Sequence, residues 1–469
     1  MKYVSTRGQA PELGFEDVLM AGLARDGGLY VPAAWPVLSK VAIAGLAGKP
    51  YPEAAYTVMA PFIGDDFPQA ELRAILTEAY ATFRHPAVAP LVQLSPGSWL
   101  LELFHGPTLA FKDIAMQVLS RLMDRTLAKR GKRATILGAT SGDTGGAAIE
   151  AFRGLDAIDI FILFPKGRVS DVQRRQMTTA TEKNVHAIAV EGTFDDCQNI
   201  VKALFNDLAW RDKMDLAGVN SINWARVMAQ IVYYFTSAVA LGAPQRKVRF
   251  SVPTGNFGDI FAGYAASKMG LPIERLIIAT NENDILTRMA ASGRYEPRNV
   301  KATQSPSMDI QISSNFERLL FELSGRDAGR VREFMQDLAK NNVAVLTKGE
   351  RNRFDELFSA HFASEQLTKA MISQACGECE IVVDPHTAVG LVAAGKQGFS
   401  TGSPIITLAT AHPAKFPDAV KAAIGREPVE PETVTRQKNL KQQFTVVANS
   451  AADVARLIET KARATRKPA

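Results

Sequence analysis

Lys112 is the residue whose setting most favours chemistry. It directly follows the apolar, turn-forming stretch 107–111, Pro-Thr-Leu-Ala-Phe. An amine held among such neighbours loses hydration, and desolvation lowers the pKa of a lysine toward the nucleophilic free amine. Attack on an aldehyde requires such an amine. The alternative is an ordinary lysine that reaches solvent from the first turn of a helix beginning at Asp113.

A glycine-containing loop is a candidate phosphate site. It follows a predicted strand that ends at Val252 and precedes a predicted helix over residues 260–269. The loop consists of Gly255, Asn256, Phe257, Gly258 and Asp259. Glycines let a backbone approach a ligand closely, and free amides at a helix N-terminus favour an anion. Its spacing matches neither a dinucleotide motif nor a nucleoside-triphosphate motif, and a plain strand-to-helix turn is the alternative.

A second loop, residues 138–146, also joins a predicted strand to a predicted helix and offers several amides and hydroxyls. Thr140 and Ser141 would suit the carboxylate of an amino-acid substrate. Asp143 has two interpretations. It is either the N-cap of a helix that starts at Thr144, or a carboxylate that stabilises the positive charge of a neighbouring Schiff base.

A third group of candidates follows the predicted strand 405–409. Thr410 can donate or accept a hydrogen bond, while His412 and Lys415 could add positive charge. Elsewhere in the chain, Arg226 is chemically suited to a phosphate. Each of these residues taken alone is also compatible with a surface or capping role.

Length and composition restrict the class of protein. The chain has 469 residues, of which 46% are hydrophobic and 22% are charged, and its formal net charge is +6. These values are typical of a globular protein of two or three domains. Because no basic run is interleaved with aromatic residues, we do not expect a nucleic-acid partner. No apolar segment reaches the roughly 18 residues that favour a membrane span, so we do not expect a membrane partner either.

The three cysteines exclude a disulfide framework and favour a reducing compartment. The first residues contain no apolar stretch of signal-peptide length, so we expect a cytoplasmic protein. Cys376 and Cys379 have the spacing of a redox pair, but no second pair of zinc ligands accompanies them. We therefore expect this pair to be incidental, and we expect no metal.

Apolar spacing divides the chain into regions. Helical spacing predicts an N-terminal helical domain over residues 1–95, and from Trp99 onward short apolar runs alternate with helix-sized segments. This alternation indicates an α/β fold with a mostly parallel sheet covered on both faces. The acidic, proline-rich stretch 427–432 resembles a linker to a C-terminal segment, 426–469. The predicted strands are 134–139, 158–164, 185–190, 248–252, 275–279, 380–383 and 405–409.

Taken in order, four motifs closely resemble the threonine synthase family. They are the Lys112 segment, the loop 140–145, the loop Gly255–Asp259 and the segment 410–416. Shorter similar stretches extend the resemblance from residue 3 to about residue 425. It implies a pyridoxal-phosphate enzyme of the tryptophan-synthase-β-like fold, with the cofactor in a cleft between two α/β lobes. We expect the catalytic core at 96–425, with lobes at about 96–225 and 226–425.

The resemblance also implies roles for the candidate residues. Lys112 looks like the Schiff-base lysine, the Gly255–Asp259 loop like the cradle of the cofactor phosphate, and Thr410 like the partner of the pyridine nitrogen. A neutral hydroxyl at that place would make the ring a weaker electron sink than a carboxylate would. Asp143 stands where related cysteine synthases carry Asn, which argues against that activity and leaves the partner of the phenolic oxygen open.

The reaction implied by this similarity converts O-phospho-L-homoserine and water to L-threonine and phosphate. The substrate amine would displace Lys112 from the aldehyde, and the freed lysine would then remove the α proton of the substrate. The substrate phosphate needs a second anion site, for which Arg226, His412 and Lys415 are the candidates. Thr140 and Ser141 would lie nearer the substrate carboxylate.

Two other functions stay open at this point. A serine or threonine dehydratase of the same fold would use the same lysine and phosphate loop but would need no second phosphate site. A non-catalytic, cofactor-binding regulatory protein could keep the fold without turnover, although the intact Lys112, both glycine loops and Thr410 argue against it. The oligomeric state is open between monomer and homodimer.

Overall fold

The computed structural model describes residues 1–140 and 142–463. Its N-terminal region is mainly helical, as the apolar spacing predicts. The elements of this region are β1 (Tyr3–Ser5), α1 (Phe15–Ala21), β2 (Tyr30–Pro32), α2 (Lys40–Ala44), α3 (Tyr51–Ile63) and α4 (Gln69–Tyr80). Strands β1 and β2 pair antiparallel, with Val4 opposite Val31.

Strands and helices alternate through the next part of the chain. These elements are β3 (Leu91–Ser95), β4 (Ser98–Glu102), α5 (Lys112–Arg130), β5 (Ala134–Ala139), α6 (Asp143–Phe152), β6 (Ile158–Pro165), α7 (Asp171–Thr178), β7 (Val185–Glu191), α8 (Phe194–Asn206), α9 (Leu208–Lys213) and β8 (Leu216–Ala217).

The alternation continues to the end of the described chain. The remaining elements are α10 (Trp224–Ala240), β9 (Val248–Pro253), α11 (Gly258–Lys268), β10 (Ile273–Thr280), α12 (Ile285–Ser292), β11 (Arg294–Tyr295), α13 (Phe316–Leu323), α14 (Ala328–Asn341), β12 (Ala344–Val345), α15 (Lys348–Leu357), β13 (Phe358–Phe362), α16 (Glu365–Cys379), α17 (Pro385–Gln397), β14 (Ile405–Ala409), α18 (Pro417–Ile424), α19 (Glu432–Lys438), β15 (Thr445–Ala448) and α20 (Ala451–Lys461). Short 3₁₀ turns occur at Gly64–Asp66, Pro306–Met308 and Pro413–Lys415.

The strands of the core form two sheets, one for each lobe. The larger sheet has the order β13-β10-β9-β14-β4-β3 and is parallel except for β3, which runs antiparallel to β4. The smaller sheet has the order β15-β7-β6-β5-β8, and all its pairings are parallel. Parallel strands are covered by helices on both faces, and β6 is accordingly buried along its whole length. The predicted α/β fold with mostly parallel sheets is confirmed.

Sheet membership does not follow the lobe limits expected from chain order. Strand β4 lies within the range expected for the first lobe, yet it pairs with β14 in the larger sheet, where Trp99 stands opposite Ile406. The C-terminal segment adds β15 to the smaller sheet, with Thr445 opposite Ile188. A strand joins whichever sheet buries its apolar faces, so both lobes draw on distant parts of the chain.

The predicted strand at 380–383 is wrong. Helix α16 extends to Cys379, and Glu380 ends it in the left-handed conformation with a φ of 56°. Val383 is buried, but in the described structure residues 381–384 belong to no sheet. A short apolar run cannot by itself distinguish a strand from a buried connection, and here the core is filled from a loop.

Helix α10 joins the N-terminal helices to the α/β part of the chain. It packs against α3, α5 and α11, and nearly all its residues are buried, as expected of a helix that is apolar on all sides. Its first residue, Trp224, packs edge-on against Phe62 with ring centroids 5.6 Å apart. Over the two described ranges, no helix is long and apolar enough to span a bilayer.

Candidate active site

Lys112 begins helix α5 and is almost wholly buried. It is only 9% exposed, so the alternative of a lysine reaching solvent is wrong. Asp113 holds the turn before it, because the Thr108 backbone N–H donates to Oδ2 at 2.8 Å and the Thr108 hydroxyl donates to Oδ1 at 2.6 Å. Gly106 is required in this turn, since a Cβ there would lie 2.4 Å from the Cβ of Asp113. The turn therefore directs the lysine into the interior.

The surroundings of the Lys112 amine lower its pKa. Its Nζ lies 3.6 Å from Asp143 Oδ2 and 5.1 Å from the ring centroid of Phe111. Burial lowers the pKa of Lys112, the positive charges of Lys415 and Arg226 lower it further, and the Asp143 carboxylate opposes them only in part. The structure thus provides a lysine nitrogen closer to a free amine than a surface lysine is.

Asp143 is the first residue of α6. The N-cap position is occupied by Gly142, and no side chain makes a capping hydrogen bond there in the described structure. The interpretation of Asp143 as an N-cap is therefore wrong. Its Oδ1 accepts from Gln173 Nε2 at 2.9 Å and pairs with Lys415 Nζ at 2.9 Å, while Ser307 Oγ donates to Oδ2 at 3.4 Å. Burial raises the pKa of Asp143, but the ammonium groups of Lys415 and Lys112 outweigh it and hold the pKa well below its usual range. The carboxylate is ionised.

Lys415 is fully buried, and its ammonium group is completely matched by protein oxygens. Its Nζ donates to the Thr108 carbonyl at 2.7 Å and to Gln176 Oε1 at 3.0 Å, and it pairs with Asp143 Oδ1 at 2.9 Å. An ammonium group has three N–H donors. In this arrangement no donor is left to bind a substrate phosphate, although the sequence makes Lys415 a candidate for that role. We call Lys112, Asp143 and Lys415 the charge cluster.

The Gly255 loop presents free donors. Among the described residues, nothing accepts a hydrogen bond from the backbone N–H groups of residues 255–258, a set we call the amide cradle. The carbonyls of this loop are held instead: Ser313 Oγ donates to the Gly255 carbonyl at 2.6 Å, and the Asn315 backbone N–H donates to the Asn256 carbonyl at 3.0 Å. A Cβ on Gly255 would lie 2.8 Å from the Ser307 carbonyl oxygen. The carbonyls of the loop are therefore braced, while its backbone N–H groups stay available to a ligand.

Asp259, expected in the phosphate site, directs its carboxylate elsewhere. Its Oδ1 accepts from the Tyr233 hydroxyl at 2.5 Å and from the Tyr234 hydroxyl at 2.9 Å. Burial raises the pKa of Asp259 to about 6, although both hydroxyls lower it in part. The side chain fastens α11 to α10, and a contribution of Asp259 to a phosphate would have to come from its backbone.

Thr410 lies beside Phe111, the residue before Lys112, because two segments pair there. The Phe111 backbone N–H donates to the Thr410 carbonyl at 2.9 Å, and Ala110 forms an antiparallel bridge with Ala411. Within residues 1–140 and 142–463, the Thr410 hydroxyl makes no hydrogen bond to the protein, although the residue is buried. A neutral hydroxyl beside the lysine is therefore available to a ligand.

Of the other cations expected at a phosphate, Arg226 is available and His412 is not. Arg226 is buried near the N-terminus of α10, and its Nη1 donates to the Val219 carbonyl at 3.2 Å. In the described chain its Nε has no hydrogen-bond partner, and no carboxylate pairs with the guanidinium. Burial lowers the pKa of Arg226 to about 10, which leaves it charged near neutral pH. Burial also lowers the pKa of His412 to about 4, so this imidazole is neutral and adds no positive charge.

The loop expected to bind the substrate carboxylate is partly satisfied internally. Thr140 is buried, and its Oγ1 accepts from the backbone N–H groups of Gly142 and Gly145, each at 3.0 Å. Those two amides are not free for a ligand in this arrangement. Ser141, the other residue expected there, lies outside the described residues.

The donor set fits pyridoxal phosphate. A desolvated amine suits the aldehyde, the amide cradle at the start of α11 suits a phosphate, and a neutral hydroxyl suits the pyridine nitrogen. In the described part of the chain, no three His, Cys, Asp or Glu side chains are placed to share a metal ion.

Several residues of the site were not identified from the sequence. Gln173 and Gln176 on α7 bind members of the charge cluster, Ser307 approaches both Asp143 and the amide cradle, and Asn315 braces the cradle. A signal existed for the two glutamines, because their spacing of three places both on one face of a helix. For Ser307, in an irregular segment, local spacing offers none.

A desolvated lysine and a loop of free amides in a two-sheet α/β core are the features of a pyridoxal-phosphate-dependent enzyme, and the family model of that description matches residues 83–351. Models described as the threonine synthase N terminus and the threonine synthase C-terminal region match residues 2–80 and 387–458. The chain belongs to the threonine synthase family.

Individual relatives agree with this. The threonine synthase of Pseudomonas aeruginosa is 52% identical over 455 residues, which cover 97% of each chain. The crystal structure of a threonine synthase from Brucella melitensis with bound pyridoxal phosphate superposes with a TM-score of 0.97 at 57% identity, covering 99% of this chain and 100% of that one. The yeast threonine synthase structure gives a TM-score of 0.93 at 40% identity and covers 98% of each chain.

Proposed function

We propose that the protein converts O-phospho-L-homoserine and water to L-threonine and inorganic phosphate, with pyridoxal phosphate as its cofactor. The observation that carries the proposal is the desolvated Lys112 amine, paired with an ionised Asp143, in the same core as the unmatched donors of the amide cradle. Family membership over nearly the whole chain supports this reaction in particular.

Three groups of this chain would hold the cofactor. Lys112 would bond its aldehyde carbon, the amide cradle would bind its phosphate, and the Thr410 hydroxyl would meet its ring nitrogen. When bound, pyridoxal phosphate supplies an aldehyde that reacts with amines and a conjugated ring that accepts the electrons left when a proton leaves the substrate. The braced carbonyls of the Gly255 loop keep the donors in place before the cofactor arrives.

Lys112 is also the group we assign to proton transfer at the substrate α carbon. Its lowered pKa makes the unprotonated nitrogen, which can accept a proton, easier to form, and the neighbouring Asp143 carboxylate stabilises the ammonium that results. A nitrogen whose pKa is lowered in this way suits a reaction with several proton transfers better than a strongly basic surface amine does.

The substrate phosphate requires a cation of its own, and Arg226 is the group we assign to it. Its guanidinium is buried, lacks a carboxylate partner in the described structure and keeps an unpaired Nε. A phosphate would satisfy that donor and neutralise the buried charge. His412 can act here only as a neutral donor, and Thr140 and Ser141 remain our proposal for the side that faces the substrate carboxylate.

The test is an assay of the purified protein with pyridoxal phosphate and O-phospho-L-homoserine that follows threonine and phosphate together. We expect the two products to form in equal amounts, and Lys112→Ala to form neither at a comparable rate. A dehydratase would instead release a keto acid from threonine or serine. Keto-acid formation without phosphate release would overturn the proposal.

A further inference from the structure

We propose that Lys415 is a positioning residue, which fixes the Asp143 carboxylate opposite the Lys112 amine and thereby controls how nucleophilic that amine is. The inference rests on the proposed function and assigns to Lys415 a role other than binding the substrate phosphate. The geometry behind it is a single carboxylate shared by two buried lysines, with Nζ to oxygen distances of 2.9 Å to Lys415 and 3.6 Å to Lys112.

Lys415 is built into the protein as a permanent partner. It is 0% exposed, and its three donors reach three oxygens that belong to three different segments: the turn before Lys112, helix α7 and helix α6. Gln176 completes this frame, because its Nε2 donates at 3.0 Å to the same Thr108 carbonyl that accepts from Lys415. A side chain held on three sides has little freedom to turn toward a ligand.

Asp143 needs such a partner because Lys112 cannot be a constant one. The nitrogen of Lys112 changes its bonding and its charge during the proposed reaction, and a buried carboxylate left without an opposite charge is strongly destabilised. With Lys415 in place, Asp143 keeps an ammonium at hydrogen-bond distance whatever the state of Lys112. The carboxylate can then stay ionised and in position through every step.

Lys415 also acts on Lys112 through its charge. The charged groups that face the Lys112 amine are Asp143, Lys415 and Arg226, of which only Asp143 favours the ammonium form. Without Lys415, the Asp143 carboxylate would attract the Lys112 proton with less opposition, and the amine would stay protonated to a higher pH.

The test measures the amine directly in the full-length protein freed of cofactor. Lys112 would be acetylated with a small N-hydroxysuccinimide ester across a pH series, and the rate would be read by mass spectrometry of the peptide that contains it. For Lys415→Met, we expect the pH midpoint of Lys112 acetylation to rise by about one unit or more. For Asp143→Asn we expect it to fall, and for the double variant to lie between the two single variants.

Two further variants separate charge from packing. Gln176→Leu removes one of the three contacts that hold Lys415 but leaves its charge, so the midpoint should move less than it does in Lys415→Met. Lys415→Arg keeps the charge and should restore most of the parent midpoint. If Lys415→Met does not fold, judged by circular dichroism, the Lys415→Arg and Asp143→Asn midpoints still test the inference.

Steady-state kinetics with the cofactor bound provide a second readout. We expect Lys415→Met to lower kcat at least about tenfold while the KM for O-phospho-L-homoserine stays within about threefold. An unchanged acetylation midpoint together with a raised KM would overturn the inference and make Lys415 a phosphate ligand. Because acetylation of Lys112 requires no turnover, failure of the proposed reaction would appear separately, as absence of threonine from the parent protein.

Discussion

The charge cluster and the amide cradle both approach Ser307 in the proposed active site, but their polar groups differ in how far the protein itself satisfies them. In the cluster, Lys415 has a protein oxygen for each of its donors, and Asp143 has two lysines and Gln173. In the cradle, the backbone N–H groups of residues 255–258 have no acceptor among the described residues, although the carbonyls of the same loop are bound.

This difference separates positioning from binding. A buried polar group is costly unless it is hydrogen-bonded, so a fully matched group stabilises one geometry, whereas an unmatched donor can recover its hydrogen bond only from a ligand. By this criterion we assign Lys415 to the framework, and we assign Arg226, whose Nε has no partner in the described structure, to the proposed binding surface. Lys112 is matched only in part, since among residues 1–140 and 142–463 the carboxylate beside it is that of Asp143, at 3.6 Å.

Removal of the reactive amine should have the largest effect. We expect Lys112→Ala to lower turnover at least about 10³-fold, because it removes both the attachment point of the cofactor and the base. Borohydride reduction followed by peptide mapping should find the cofactor on Lys112 in the parent protein. Lys421→Ala is the matched control, since that lysine is 59% exposed and pairs with Glu427 at the surface. Cofactor trapped on a different lysine would refute the assignment.

A methyl group placed in the amide cradle should weaken cofactor binding. In Gly255→Ala the new Cβ would lie 2.8 Å from the Ser307 carbonyl oxygen, so the loop must shift and misalign its donors. We expect the dissociation constant of pyridoxal phosphate, measured by absorbance titration, to rise about 100-fold.

Gly377→Ala is the control for that change, because a Cβ there meets no atom within 4 Å and the residue lies within helix α16. Alanine at such a position should leave cofactor binding unchanged and the melting temperature equal or slightly higher. Equal cofactor affinity for Gly255→Ala and Gly377→Ala would show that the free amides are not the phosphate site.

Loss of the Arg226 guanidinium should affect substrate binding more than cofactor binding. For Arg226→Met we expect the KM for O-phospho-L-homoserine to rise about 30-fold, as loss of a charge-assisted contact to a phosphate implies. The dissociation constant of the cofactor should stay within about threefold of its parent value. Arg211→Met, on the surface of α9, is the control. Weaker cofactor binding with an unchanged KM would instead assign Arg226 to the phosphate of the cofactor.

Removal of the Asp259 carboxyl should change the pH dependence of stability rather than catalysis. Burial raises the pKa of Asp259 to about 6, so between about pH 4 and pH 6 the folded state binds a proton that the unfolded chain has released. The stabilisation by this carboxyl is therefore fully present below about pH 4 and is lost as the pH rises through about 6.

In Asp259→Asn this loss should be absent. Between about pH 4.5 and pH 7.5, the free energy of unfolding of the parent should fall by about 2 kcal/mol relative to the variant. Urea unfolding of the two proteins at both pH values measures it, with the exposed Asp212→Asn as the control. Parallel pH profiles for the parent and Asp259→Asn would contradict a raised pKa.

Much of the local structure was predictable from the sequence. The strands 134–139 and 405–409 were predicted at their observed bounds, and the helix after the Gly255 loop begins within two residues of its expected start. These features depend on apolar periodicity and on glycine, which act over a few residues. The run at 380–383 has the same apolar character without a sheet to join, and there the prediction was wrong.

The sequence by itself determined the parts of the site: a lysine in an apolar turn, a glycine loop between a strand and a helix, and the order of motifs that marks the family. Only the tertiary structure decided how the charges pair. Lys415 and the Thr108 carbonyl are separated by 307 positions in the chain but lie 2.7 Å apart, and burial made His412 neutral. The physical reason is range, because backbone preferences act between neighbours, whereas the pairing and desolvation of a charge depend on which distant segments pack around it.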